Sequence, residues 1–277
     1  MKKVFTFLLV ICLSVSGTIL MAQNHALDFD GASNKVGILD SPELNPTAAM
    51  TLEAWINAEE WQSSIWAGVI ISKQGSGPDK GWCLSAGENG RLEFTVSVDE
   101  AWKSVATPQL LGTNAWYHVA GVYTGTQVKV YINGVLIGTE DAIGSLTPGD
   151  GVVVNIGDNP TWTGRFFNGM IDEVRIWEVA RTDAEIQANM STELTGSEAG
   201  LVAYYPMNEG TGMAIADATS NGNDGQLINM AEENWVDGFV PVTADIGVMG
   251  IASPSLIGSG FSSDEKIRLE VKNYATE

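Results

Sequence analysis

Four tryptophans stand in or beside loop text with polar side chains close at hand. Trp61 adjoins Gln62, Trp66 follows four residues on, Trp102 lies near Asp99, and Trp162 sits between Asn159 and Arg165. Sugars bind by laying the apolar face of a ring on an aromatic side chain, while amides and carboxylates take the hydroxyls. Trp61, Trp66, Trp102 and Trp162, together with Asn159, are therefore the expected ligand contacts. The alternative is burial, because sandwiches accept tryptophan between their sheets. Trp55, Trp116 and Trp177 are read as strand residues.

A second group consists of hard oxygen donors. Asp28, Asp30 and Asn34 surround Gly31, and Asp172 lies beside Gly169 in a later strand. Calcium seeks clustered carboxylates and carbonyls in a glycine-containing turn. Asp28, Asp30, Asn34 and Asp172 are the expected calcium ligands. The competing reading makes Asp30-Gly31 a plain turn and Asp172 a capping acid. The acidic stretch from Asp217 to Asp224 superficially resembles an EF-hand loop. It fails at the position of the bidentate glutamate, where Ile228 stands, and reads as a turn-rich loop.

Catalytic patterns are missing from the text. A retaining glycosidase needs two carboxylates about 5 Å apart. In Ile171-Asp172-Glu173-Val174 the neighbouring acids point to opposite faces of a strand. There is no Gly-x-Ser-x-Gly elbow, and His25 and His118 are the only histidines. His118 reads as a structural strand residue. The chain is expected not to be an enzyme. Its 34 acidic against 14 basic residues give a net charge of −20, which argues against nucleic acid and anionic membrane surfaces as partners. The acidity favours solubility and cation binding.

These residues need a scaffold, and the scaffold reads as short strands. Asn114 to Thr139 holds three extended runs, with Asn133-Gly134 linking the last two. A two-residue Asn-Gly link is a strong hairpin signal, because both residues accept the positive φ of a type I′ turn. Asn89-Gly90 marks a second hairpin between Trp82–Ala86 and Arg91–Val98. Further strands are expected at Ala26–Phe29, Lys35–Ile38, Gly68–Lys73, Val152–Ile156, Leu201–Pro206 and Gly225–Asn229. In Thr51–Asn57 the alternation puts Leu52, Ala54 and Ile56 on one face. In Gly169–Trp177 it puts Asp172 on the face of Val174 and Ile176. One short helix is expected after the capping box Thr182-x-x-Glu185, ending near Met190. The fold class is all-β: an antiparallel sandwich with one short helix.

Separated motifs follow one another along the chain: ALDFDGASNKV at Ala26, MTLEAWI at Met50, NAWYHVAGVYTGTQVKVYINGVLIG at Asn114, FNGMIDEVRIW at Phe167, ARTDAEI at Ala180 and GLVAYYPMNEGTG at Gly200, running into DATSNGNDGQLIN. Together they resemble the laminin G-like (concanavalin A-like lectin/glucanase) jelly roll of secreted bacterial multidomain proteins. The resemblance spans Ala26 to Asn229 in family order. It implies a jelly roll whose first and last strands are neighbours, so that Asp172 could meet the Asp30 turn. It implies functions among carbohydrate-binding modules, adhesion domains and accessory domains, with calcium sites in many members. Enzymes on this sandwich present Glu-x-Asp-x-Glu or a close variant on one strand, and no such text exists here. The expected function is non-catalytic recognition, with a glycan or a cell-surface protein as partner and calcium as cofactor. A structural or protein-adhesive spacer is the second reading, and a glycoside hydrolase the third.

Organisation follows from composition. Residues 1–23 read as a secretory signal peptide, with Lys2 and Lys3 before the apolar Val4–Leu13 and Ala22 before the cut; the alternative is an uncleaved anchor, since apolar character continues to Met21. Export to the cell surface or medium is expected, with no membrane insertion after cleavage. Cleavage leaves Cys83 as the lone cysteine, read as a buried inert thiol. The jelly roll is assigned to residues 24–237 and a linker to 238–245. Residues 246–277 resemble the start of a second, immunoglobulin-like or adhesion-type sandwich that two strands cannot complete.

Overall fold

The computed structural model describes residues 24–240. The expected leader and the expected second sandwich lie outside the described residues. In chain order the strands are β1 (His25–Asp30), β2 (Lys35–Ile38), β3 (Met50–Ala58), β4 (Val69–Ser72), β5 (Trp82–Gly87), β6 (Arg91–Val98), β7 (Ala101–Ala106) and β8 (Tyr117–Tyr123). There follow β9 (Gln127–Ile132), β10 (Val135–Asp141), β11 (Val154–Ile156), β12 (Asn168–Trp177), helix α1 (Asp183–Asn189), β13 (Leu201–Tyr205), β14 (Ala214–Ile215), β15 (Gly225–Ile228) and β16 (Trp235–Asp237).

Two antiparallel sheets make the expected jelly-roll sandwich. The first runs β10-β9-β8-β3-β12-β1-β16, with β13 also paired to β12. The second runs β14-β15-β2-β11-β4-β5-β6-β7. Alternating residues of both sheets fill one core, including Leu27, Leu52, Ile56 and Val174 from the first and Val36, Leu84, Phe94 and Ile156 from the second. Leu52, Ala54 and Ile56 share the core face, as their alternation predicts.

Turn chemistry sets the registers. Asn133 and Gly134 take φ of 49° and 73°, the two left-handed positions of a type I′ link, and Val135 pairs with Ile132. Asp99 and Glu100 do the same at 49° and 63°, returning the chain from β6 into β7. Glutamate is an uncommon residue for that conformation. The Asp99-Glu100 link therefore gave no hairpin signal, and β7 was not expected.

A bulge corrects the expected face of Asp172. Between β12 and β3 the register shifts after the pair Asp172–Trp55, and Glu173 adopts φ of 53°. The extra residue reverses the alternation. Ile171, Val174 and Ile176 point into the core, whereas Asp172 and Arg175 lie on the outer face beside Trp55 and Glu53. Helix α1 packs over that outer face. Thr182 accepts from the Glu185 N–H and the Glu185 carboxylate accepts from the Thr182 N–H, the predicted capping box. Ile186 of the helix is buried against Ala120, Val122 and Tyr131.

Candidate functional site

The outer face of the second sheet carries a largely polar row that crosses seven strands. Gln226, Gly37, Asn155, Ser72, Cys83, Thr95 and Ser104 are successive cross-strand partners from β15 to β7. Their neighbours in sequence, such as Val36, Ile71, Leu84, Phe94 and Val105, face the core. Period-2 alternation makes this division.

Three of the expected tryptophans converge over one end of that row. Trp66 comes from the turn before β4, Trp102 from β7 and Trp162 from the loop between β11 and β12. Arg165 joins them. Its guanidinium carbon lies 4.5 Å from the Trp66 ring centroid and 4.7 Å from that of Trp162. Trp162 and Trp102 meet edge to face, with centroids 6.4 Å apart and planes at 68°. Cation–π contacts of this length are attractive by about 0.5–1 kcal/mol at exposed sites. Trp66 remains 49% exposed, and Trp102 and Trp162 are half-buried, so ring surface stays open to a ligand. The backbone fixes the anchor, because the Val69 N–H donates to the Arg165 carbonyl at 3.2 Å.

Asn159 shapes this cluster from beneath. It is buried, with its Oδ1 accepting from the Thr161 and Trp162 N–H groups at 3.0 Å each. Its Nδ2 donates to Gln74 Oε1 at 2.7 Å and to Ser72 Oγ at 3.2 Å. These bonds place Asn159 as the residue that positions Trp162. Glu93 of β6 lies in the same electrostatic neighbourhood. Burial raises its pKa, against the bond from Ser104 and the charges of Arg91 and Arg165. Cys83 is buried, and burial pushes its thiol up to about 12, so it is no nucleophile at neutral pH.

The other expected residues fall elsewhere. Trp61 is partly buried and packs against the core, and no ring contact joins it to the cluster. Trp102 sits in β7 rather than a loop, and Trp116 just precedes β8 rather than lying in it. Asp30 caps its own turn. Its Oδ1 accepts from the N–H groups of Ala32, Ser33 and Asn34, which outweigh burial and bring its pKa down to about 2. Asn34 accepts from the Asp30 N–H and from Asn234, and donates to the Asn229 carbonyl. Asp28 has one buried oxygen without a partner, and burial raises its pKa. Asp172 does not join this turn. It accepts from the Phe239 and Glu173 N–H groups at 2.8 and 2.7 Å, and from Asn24 at 3.4 Å. Asp28, Asp30, Asn34 and Asp172 thus do not form one cage. Among the described residues no group of three or more His, Cys, Asp or Glu is placed to hold a metal ion. The Asp217–Asp224 stretch is a self-bonded loop, with Asp217 accepting from the N–H groups of Tyr204, Thr219 and Asn223.

The first sheet has its own polar outer face, and its groups are committed to the fold. Glu53 is fully buried, 3.2 Å from His118 Nε2 and 3.5 Å from Arg181 Nε. Burial opposes its charge, but His118, Arg175 and Arg181 outweigh it and lower its pKa. Arg175 bonds Glu173 at 2.7 Å and the carbonyls of Asn189 and Thr192. A cleft of about 960 Å³ opens here, lined by residues including His25, Trp55, Glu173, Arg175 and Phe239. The Trp55 ring is already covered by Phe239, with centroids 3.4 Å apart and planes at 12°. Aromatic surface left open around a cation held between two rings therefore distinguishes the second sheet as the candidate recognition face among the described residues.

The chain belongs to the concanavalin A-like lectin/glucanases superfamily, whose model matches residues 30–187. Among solved structures, a "putative carbohydrate binding protein" from Bacteroides ovatus ATCC 8483 is similar at TM-score 0.60 and 25% identity. The match covers 79% of this chain and 60% of that one. Pappalysin-1 of Mus musculus is 28% identical over 184 residues, 61% of this chain and 11% of its own length. Pappalysin-1 of Homo sapiens is 24% identical over 227 residues, 72% of this chain and 14% of its own length. The chain thus spans a small part of these relatives.

Proposed function

We propose that this chain is a non-catalytic carbohydrate-recognition domain that seats a sugar against Trp66, Trp102 and Trp162. The observation that carries the reading is their convergence around Arg165, from three separate parts of the chain, beside a polar row. Partly exposed indoles supply stacking surface, and Thr95 and Ser104 of the row, the first half-buried and the second exposed, supply hydroxyl groups for sugar hydroxyls. The superfamily and the description of the Bacteroides ovatus protein agree with it. Export follows from the leader-like residues 1–23, and no helix among the described residues is long and apolar enough to cross a membrane.

The test is a glycan and polysaccharide array probed with the full chain, in calcium and again in chelator. The expected result is selective binding to a subset of glycans in both conditions, since the indole cluster uses none of the four expected calcium ligands. Binding lost on chelation would return calcium to the account. No binding in either condition would replace recognition of glycans by a structural or protein-adhesive role.

A further inference from the structure

Arg165 has a property its fellow arginines lack. Four arginines occur among the described residues. Arg91 pairs with Glu88 at 2.8 Å, Arg175 with Glu173 at 2.7 Å, and Arg181 approaches Glu53 at 3.5 Å. Lys35 and Lys73 likewise pair with Asp158 and Asp40. The Arg165 side chain makes no ion pair and no hydrogen bond among the described residues, and its recorded close partners are the two indole rings. In a chain of net charge −20, carboxylates are abundant, and an arginine left without one is unusual.

Chemistry then says what would complete it. A guanidinium offers five N–H donors in a planar fork that matches two oxygens of one oxyanion. Cation–π attraction to Trp66 and Trp162 holds the guanidinium in place and leaves its N–H donors without a carboxylate partner among the described residues. Glu93 senses the charge of Arg165 but forms no ion pair with it, and Ser104 hydrogen-bonds that carboxyl. The guanidinium carbon lies 4.5 and 4.7 Å from the two ring centroids, so a sugar stacked on either ring would bring its substituents within reach of the guanidinium.

Resting on the carbohydrate-recognition reading, we infer that the site selects acidic sugars, with Arg165 receiving an oxyanion carried by the stacked residue. The oxyanion is the carboxylate of a sugar acid or a sulfate ester, which share this fork-and-two-oxygens chemistry. The ligand is a glycan with isolated acidic residues rather than a dense polyanion, because the overall charge of −20 repels a highly charged chain.

Calorimetry with the full chain tests this, using matched pairs of probes. Oligosaccharides bearing galacturonate, glucuronate or sialate are compared with their methyl esters, and sulfated oligosaccharides with their desulfated forms. The expected result is a preference of about tenfold or more for at least one acid over its neutral partner. Whichever pair shows it assigns the oxyanion. In Arg165→Gln that ratio falls to near one, whatever happens to the neutral partner's own affinity, and Arg165→Lys keeps part of it. Near-ultraviolet circular dichroism of each variant checks that the indole cluster survives. Equal affinity within every pair, or a ratio unchanged in Arg165→Gln, overturns the inference and leaves carbohydrate recognition standing. Absence of binding to all probes, neutral and acidic, and on the array, overturns both.

Discussion

Replacing Trp162 by alanine separates a ligand platform from a structural tryptophan. Trp162 touches Arg165 at 4.7 Å and Trp102 at 6.4 Å, and its loop is otherwise held through Asn159. Removing the ring forfeits a cation–π contact of about 0.5–1 kcal/mol and an aromatic pair of about 0.5–1.5 kcal/mol. Arg165 keeps Trp66 at 4.5 Å, so the cost to stability stays at about 1–2.5 kcal/mol. The effect on binding is separate. A sugar laid on one indole face covers about a third of the roughly 200 Å² that a tryptophan can bury. At about 25 cal/mol per Å² this is worth about 1.5 kcal/mol, or roughly tenfold in affinity. Trp61→Ala is the control, since Trp61 packs on the core: it should lower the melting temperature and leave affinity within about twofold. Calorimetry with an array-selected oligosaccharide, beside urea denaturation, reads both quantities. Unchanged affinity in Trp162→Ala, or a loss confined to Trp61→Ala, would refute the reasoning.

Three further outcomes follow from the same structure. Asp172 is fully buried and its pKa is raised to about 8 by burial, from an ordinary 3.8. Its stabilising effect is full below the lower value and disappears as pH rises through the upper one. Asp172→Asn should therefore show a flatter melting temperature between pH 4 and 8 than the parent chain, and an equally steep profile would contradict the assignment. Glu53 has a lowered pKa, so its contribution is present at neutral pH and lost as pH falls below the carboxylate range. Glu53→Gln leaves Arg181 without its anion while Arg175 keeps Glu173, which predicts a loss of about 3 kcal/mol at pH 7 by urea denaturation. A loss under about 1 kcal/mol would show that the buried pair contributes little net stability. Asn159→Ala removes both acceptor bonds that hold the Trp162 turn, and should weaken binding about as much as Trp162→Ala without removing a ring. Hydrogen exchange at the Thr161 and Trp162 amides would report the loosening.

Much of the scaffold was legible because its signals are local. The Asn133-Gly134 link and the Thr182–Glu185 capping box are each set by a few adjacent residues, and both stand in the structure as read. Strands such as Arg91–Val98 were visible from alternation between a core face and a polar face. The failures have local causes too. The Asp99-Glu100 link reaches a left-handed conformation without glycine or asparagine, which hid β7 and made Trp102 look like a loop residue. The bulge at Glu173 reversed the face of Asp172, and no residue type in MIDEVRIW announces it. The candidate site is long-range. Three of the expected tryptophans lie in the cluster with Arg165, and Trp61 does not. Their meeting was not legible, because Trp66, Trp102 and Trp162 are joined by the path of the sheet and not by spacing. Arg165 and Glu93 carried no signal of their role for the same reason. The hard donors could not be sorted by residue type, because Asp-Gly turns and calcium loops share them; in the structure Asp30 bonds the N–H groups of its own turn and Asp172 lies apart from it.

The most direct measurement is the glycan array repeated with the full chain and with the double variant Trp66→Ala/Trp162→Ala, at protein concentrations matched for folded material. The account predicts selective binding by the parent chain and loss of that signal by at least about a hundredfold in the variant, the two rings contributing roughly tenfold each. A folded double variant that binds the same glycans with the same strength would contradict it and place recognition on another surface.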